Sequence, residues 1–194
     1  MMVRFLLILI AFHLSLASHA LTISADILNS ELKKNYSFVE RSLNQSDLKI
    51  ETSSGKILFD PLGVTVKVLA PFEENYRIEG NRIEIHDVFL DQKQIIDIDQ
   101  LDNFFINILM NGVDNNSQAY SISHINDATI EIISTNTSNL IRFSFIDNKL
   151  NLIRYKDSIG VEHGYNLEDV LLAQQLGLVA LRVCEELEHS SHHP

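Results

Sequence analysis

Apolar and polar residues alternate one by one through the middle of the chain, and the alternation is cleanest from Gly55 to Asn81. Period-2 alternation marks a strand with one buried face. Pro61, Pro71 and Gly80 fall at the joins, where a missing ladder N–H or a left-handed backbone does no harm. The pattern predicts strands over Tyr36–Leu43, Asp47–Thr52, Lys56–Asp60, Val64–Leu69, Asn75–Glu79, Arg82–Asp87 and Gln94–Asp99. Ala119–His124, Thr129–Ser134, Leu140–Ile146, Lys149–Tyr155 and Val161–Tyr165 continue it, with Asp147-Asn148 as a short hairpin turn.

Two stretches switch to the helical period. Ile23, Ile27, Leu28 and Leu32 share one face of a predicted helix over Thr22–Lys34, capped by Thr22 or Ser24. Phe104, Phe105, Ile108 and Leu109 share one side of a second, which starts at Asp99 or Asp102 and ends at Gly112. Leu167–Leu187 is rich in Leu, Ala, Gln and Glu and reads as a third helix. The fold class that follows is α+β: an incomplete antiparallel barrel of roughly ten or eleven strands, with helices over its concave face.

The N-terminus changes the picture. Met1 to Arg4 is a short positive segment, Phe5 to Leu16 is an apolar run broken only by His13 and Ser15, and Ser18-His-Ala20 fits the small-x-small cleavage rule. The expectation is a secretory signal over residues 1–20, cleaved after Ala20. A domain over 21–166 and a C-terminal helix with a polar tail over 167–194 follow it. The 194 residues carry a formal charge of −11, which argues against nucleic acid and against anionic lipid surfaces as partners. Cys184 has no second cysteine to pair with and reads as a small buried hydrophobe.

Catalytic motifs are absent from the sequence: there is no Gly-x-Ser-x-Gly elbow, His-Glu-x-x-His or phosphate-cradling glycine loop. The expectation is a protein that is not an enzyme and has no cofactor and no metal. His86-Asp87, His124 with Asp127, and Glu162-His163 are the His–carboxylate neighbours. Adjacent strand residues point to opposite faces, so they read as surface pairs. The terminal His189, His192 and His193 read as a solvated tail.

The order Phe38-Val39-Glu40, Gly55, Phe59, Pro61, Pro71 and Gly80 resembles the LolA-like family of periplasmic outer-membrane lipoprotein carriers, over roughly residues 22–165. The resemblance implies a periplasmic carrier that shields acyl chains of lipoproteins or related lipids in an apolar cavity. An inner-membrane donor complex and an outer-membrane acceptor are implied with it, and the chain is expected to be a monomer. Alternation supplies the candidate lining: Ile57, Phe59, Val64, Val66, Val68, Ile78, Ile83, Ile85, Phe143 and Phe145 from the sheet, and Phe104, Phe105, Ile108 and Leu109 from the second helix. Ile23, Ile27, Leu28 and Leu32 would form a lid. Where the family's best-studied carriers place a latching Arg, this chain has Asp60. The expectation is a lid held mainly by apolar packing, with Arg41 or Arg82 as substitute latches. The alternative is a non-enzymatic accessory module of a membrane glycolipid or polyene assembly system, with a filled interior.

Overall fold

A computed structural model describes residues 22–44, 48–101, 104–137, 139–157 and 159–171. The expected signal segment, the Asp102 helix start, Cys184, the terminal histidines and the C-terminal helix beyond Leu171 lie outside the described residues.

The described chain forms one 11-stranded antiparallel sheet with two helices. Strands β1 (Tyr36–Asn44), β2 (Lys49–Asp60), β3 (Gly63–Ala70), β4 (Glu74–Glu79), β5 (Arg82–Asp87) and β6 (Gln92–Asp97) make a first meander. Strands β7 (Tyr120–Asn126), β8 (Thr129–Ser134), β9 (Leu140–Ile146), β10 (Lys149–Lys156) and β11 (Glu162–Asp169) make a second. The two are zipped together by β1 against β11, with Phe38 opposite Leu167 and Glu40 opposite Tyr165. Among the described residues, strands β6 and β7 remain as edges, so the barrel is open. The Asp147-Asn148 turn takes left-handed φ values of 51° and 61°, the geometry that a two-residue hairpin requires.

Several boundaries differ from the pattern. The two strands expected over Asp47–Thr52 and Lys56–Asp60 are a single β2. Ser53, Ser54 and Gly55 interrupt the apolar alternation, but β1 pairs without a break from Lys49 to Ile57 and a bulge against β3 at Ser54/Gly55 absorbs the irregularity. A Cβ on Gly55 would lie 1.9 Å from the carbonyl oxygen of Lys67, so the close approach of β3 demands glycine. Ile98 leaves β6 for a short 3-10 turn, Ile98–Gln100, where it is buried. Leu167 to Asp169 are strand rather than the start of a helix: pairing with Tyr36–Phe38 and burial of Leu167 override the local helix preference.

Helix α1 spans Ala25–Glu31, shorter than its apolar pattern. Ser24 caps it, its Oγ accepting from the Ile27 N–H at 3.3 Å. Leu32 follows as the C-cap, and Lys33 and Lys34 donate back to Ser30 and Glu31 in tightened turns. Helix α2 spans Phe104–Asn111 and stops at Gly112, φ +72°. One continuous core joins both helices to the sheet, from Leu28 through Ile108 to Ile130 and Phe143. A smaller cluster of Ile78, Ile83 and Ile98 fills the β4–β5 end.

Candidate functional site

Alternation along β1, β2, β3 and β8 to β11 turns one row of side chains from each strand toward the helices. The lid residues Ile23, Leu28 and Leu32 are buried in the same core as Ile57, Val64, Ile108, Leu109, Phe143 and Phe145, and Ile27, Phe59, Val66, Val68, Phe104 and Phe105 pack against it. Ile78 and Ile83 belong to the smaller cluster, with Ile85 half-buried beside it. Helices and sheet therefore close on one another over most of the concave face.

Among the described residues, open space remains beside the helices. A cavity of about 830 Å³ opens at the end of the sheet that carries the β2–β3 and β4–β5 turns. Its apolar lining is Leu32, Phe59, Leu62, Val64, Ile98, Ile106 and Met110. Its polar rim comprises Lys33, Asp60, Asn81, Asp99, Asn107 and Asn111. A smaller space of about 200 Å³ lies between α2 and β9–β10, bordered by Leu101, Phe104, Phe105, Ile141 and Tyr155 among others.

Of the expected lining, Phe59, Val64, Phe104 and Phe105 border these two spaces. Ile57, Val66, Val68, Ile78, Ile83, Ile85, Ile108, Leu109, Phe143 and Phe145 border neither and lie in or against the two apolar clusters. The physical reason is simple. Alternation reports which side of a strand is apolar, but not whether a helix already covers that side. Leu62, Ile106 and Met110 also border the larger space, from a turn and the shoulder of α2 where no period-2 signal exists, and Ile98 does so because it leaves the expected strand for a 3-10 turn.

Helix α1 is tied as well as packed. The side-chain amide of Asn29 on α1 donates to the Val113 carbonyl at 2.9 Å and accepts from the Val113 N–H at 2.7 Å, which yokes α1 to the end of α2. His124 Nε2 lies 2.8 Å from the Ile23 carbonyl oxygen, and the Ile23 N–H donates to the Asp127 carbonyl at 3.1 Å. Glu31 is buried at the end of α1, where it accepts from the Tyr36 hydroxyl at 2.8 Å and from the Leu150 N–H at 3.0 Å. These polar contacts, rather than Arg41 or Arg82, supplement the packing. Asp60 turns to Arg77, which approaches it through both Nη atoms, the Nη2 contact at 3.1 Å. Asp60 also accepts from the Leu62 and Gly63 N–H groups, organising the β2–β3 turn at the cavity mouth.

A polar cluster lies farther along the concave face, beside the seam of β1 and β11. Glu40 alternates with Phe38 and so faces inward; its Oε2 accepts from the Ser53 hydroxyl at 2.6 Å. Its Oε1 lies 2.7 Å from His163 Nδ1, while Asp157 Oδ2 lies 3.2 Å from His163 Nε2. The imidazole stacks on Tyr155 with ring centres 4.8 Å apart, and Tyr155 stacks in turn on Phe105 of α2 at 4.2 Å. Burial opposes the charge of His163, yet its two carboxylate partners outweigh burial and raise its pKa. Alternation separates His163 from its neighbour Glu162, and the carboxylate that meets it, Glu40, is legible only through the inward side of β1.

No helix among the described residues is long and apolar enough to cross a membrane. No protein-family model matches the sequence, and no curated protein sequence matches it. Solved structures similar in outline include an uncharacterised conserved protein from Thermus thermophilus, at 11% identity and TM-score 0.40, over 77% of this chain and 88% of that one. A domain from Vibrio parahaemolyticus assigned to outer membrane lipoprotein sorting is similar at 10% identity and TM-score 0.38, over 75% and 90% of the two chains.

Proposed function

We propose that the protein is a non-enzymatic carrier of acyl chains, taking lipoproteins or related lipids through the periplasm toward the outer membrane. The observation that carries this reading is the cavity of about 830 Å³ between α2, the residues that follow α1 and the turn end of the sheet, with an apolar floor and a polar rim. That volume falls within the roughly 300–1,000 Å³ of small-molecule sites. A floor of Leu32, Phe59, Val64, Ile106 and Met110 offers no directional bond. Each methylene buried there contributes about 0.8 kcal/mol, so affinity grows with chain length while release stays reversible. The motif order through Phe38, Gly55, Phe59 and Pro61 supports the same reading, as does the N-terminal export pattern. Donor and acceptor complexes in the two membranes would be its partners.

The test is mass spectrometry of lipids and acylated proteins co-purified with the chain from periplasmic extract, beside titration with a fluorescent fatty-acyl probe. Met110→Glu places a carboxylate against the apolar floor, and its desolvation cost is expected to weaken probe binding at least about tenfold. Circular dichroism of the variant verifies folding. A folded Met110→Glu protein that binds as tightly as wild type overturns the assignment of the cavity.

One observation favours a second reading. Ile57, Ile108, Leu109, Phe143 and Phe145 fill the space beneath the helices, as expected of an accessory module of a membrane glycolipid or polyene assembly system. Absence of both co-purified lipid and probe binding decides for that module.

A further inference from the structure

The Glu40–His163–Asp157 cluster is independent of the cavity, and its geometry constrains its protonation. An imidazole with a carboxylate oxygen at each nitrogen, 2.7 Å and 3.2 Å away, needs an N–H on both. Neutral imidazole has one N–H, and would present a lone pair to the other carboxylate. The three residues come from β1, β11 and the turn that joins β10 to β11. Glu40 and His163 bridge the pairing that joins the two meanders. The imidazole also lies at the end of the stack that runs through Tyr155 to Phe105 on α2.

We propose that His163, gripped between Glu40 and Asp157, is a proton-dependent clamp on the β1–β11 seam, closed while the ring carries both protons and loosened when it loses one. The grip reaches α2 through the Tyr155–Phe105 stack, so the same proton steadies the helix over the concave face.

The groups packed around the ring leave His163 as the one that titrates near neutrality. From β1 comes Glu40, whose burial works against its charge but whose bonds to His163, Ser53 and Tyr165 keep it ionised, with a lowered pKa. From the β10–β11 turn comes Asp157, lowered by His163 and by the Val161 and Ile159 N–H groups against a burial that raises it. From β10 comes Tyr155, pushed up to about 12 by burial. Tyr165 on β11 itself is raised well beyond its ordinary value by burial and by its neighbours Tyr155 and Glu40. Strand β2 contributes only the neutral Ser53 hydroxyl, and α2 only the Phe105 ring. Glu162 alternates to the opposite face of the sheet, while Lys156 borders the space it shares with Phe105, Tyr155 and Asp157, its cationic side chain reaching toward Gly160 of the β10–β11 turn.

The folded-state pKa of His163 stands above its unfolded value. The clamp's stabilisation is therefore complete below the unfolded value and is lost as pH rises through the folded one. Glu40 and Asp157 are depressed, so their share is present above the ordinary carboxylate range and is lost as pH falls through their lowered values. The clamp is closed across the weakly acid to neutral window and opens first on the alkaline side.

The experiment is amide hydrogen exchange on the intact chain at about pH 6 and about pH 9, below and well above the ordinary imidazole value, corrected for intrinsic exchange rates. Amides of β1 and β11 at the Glu40–His163 end, and those of α2, are expected to lose at least about tenfold in protection at the higher pH. Amides of β8 and β9 serve as the internal control and are expected to hold. His163→Gln, which cannot take up a proton, is expected to show the lower protection at both pH values. Unchanged protection in wild type, or the same pH dependence in His163→Gln, overturns the proposal. If that variant does not fold, the imidazole resonances of the wild-type protein decide: a midpoint at or below about 6.5 overturns it.

Discussion

At the scale of single residues, the unusual positions are carboxylates with more partners than their surroundings suggest. Glu31 is 4% exposed, and burial alone would raise its pKa. Lys34, the Leu150 N–H and the Tyr36 hydroxyl together overcome that and keep it lowered. Glu31→Ala removes the acceptor for the buried Leu150 N–H and the shorter of two acceptors for the Tyr36 hydroxyl, which keeps the Glu31 carbonyl oxygen at 3.2 Å. One unsatisfied N–H costs about 1–3 kcal/mol and the lost hydroxyl bond about 1 kcal/mol, so a loss of about 2–4 kcal/mol in urea unfolding is expected. Tyr36→Phe removes one donor from a carboxylate that keeps its others, and is expected to cost about 1 kcal/mol. Equal losses in the two variants would show that the Leu150 contact contributes nothing. Asp60 behaves differently because it is exposed to water. Arg77 and two turn amides hold its carboxyl down at about 2, and stability from that depression is present above the ordinary value and lost as pH falls toward the folded one. Carboxyl carbon NMR is expected to show the low midpoint in wild type and a return toward the ordinary range in Arg77→Gln. An unshifted midpoint in that variant would remove Arg77 as the cause.

At the scale of elements, hairpins could be read from sequence and the seam could not. Asp147-Asn148 and the Pro-bounded strands β3 and β4 are set by residues within a few positions of one another, where alternation and turn chemistry act. The β1–β11 pairing joins Tyr36 to Asp169, and no local pattern ties such distant segments together. The Glu40–His163 contact was hidden for the same reason, while Leu167 looked helical until its partner strand was in place. The lid illustrates a subtler gap. Its apolar face was legible at Ile23, Ile27, Leu28 and Leu32, but its polar tether was not, because Asn29 reads as one more solvent-facing residue. With both bonds to Val113 in place, α1 and α2 are coupled. Asn29→Ala breaks that pair while leaving the apolar face untouched. A loss of about 1–3 kcal/mol and faster hydrogen exchange at Val113 and along α1 are expected. A change confined to Val113, with α1 unaffected, would mean that packing alone holds the helix.

At the scale of the whole molecule, burial is uneven, and the unevenness falls where the cavity is. Strands β8 to β10 carry the deepest side chains, with Ile130, Ile132 and Phe143 at 0% exposure. Strand β6 at the opposite edge is exposed along its length apart from Ile96. The β4–β6 end rests on the small cluster of Ile78, Ile83 and Ile98, supported by Ile106 and Met110. Ile98, Ile106 and Met110 also line the large cavity, so the least-buried end of the sheet is one wall of the proposed acyl site. Regions with few buried contacts open at a lower free energy than the molecule as a whole. Native-state hydrogen exchange in low denaturant is therefore expected to show amides of β5 and β6 opening ahead of those in β8 to β10. Such an opening widens the cavity without disturbing the deep core, giving a route for an acyl chain to enter. A ligand that binds only the closed form, at a hundredfold over its Kd, should raise the opening free energy of that end by about 2.7 kcal/mol. Repeating the exchange with a saturating fatty-acyl probe checks this: protection should rise at β5, β6 and Ile98 more than at β8. A uniform rise across the sheet would place the ligand's grip on the global fold, and no rise at the β5–β6 end would remove the cavity as its binding site.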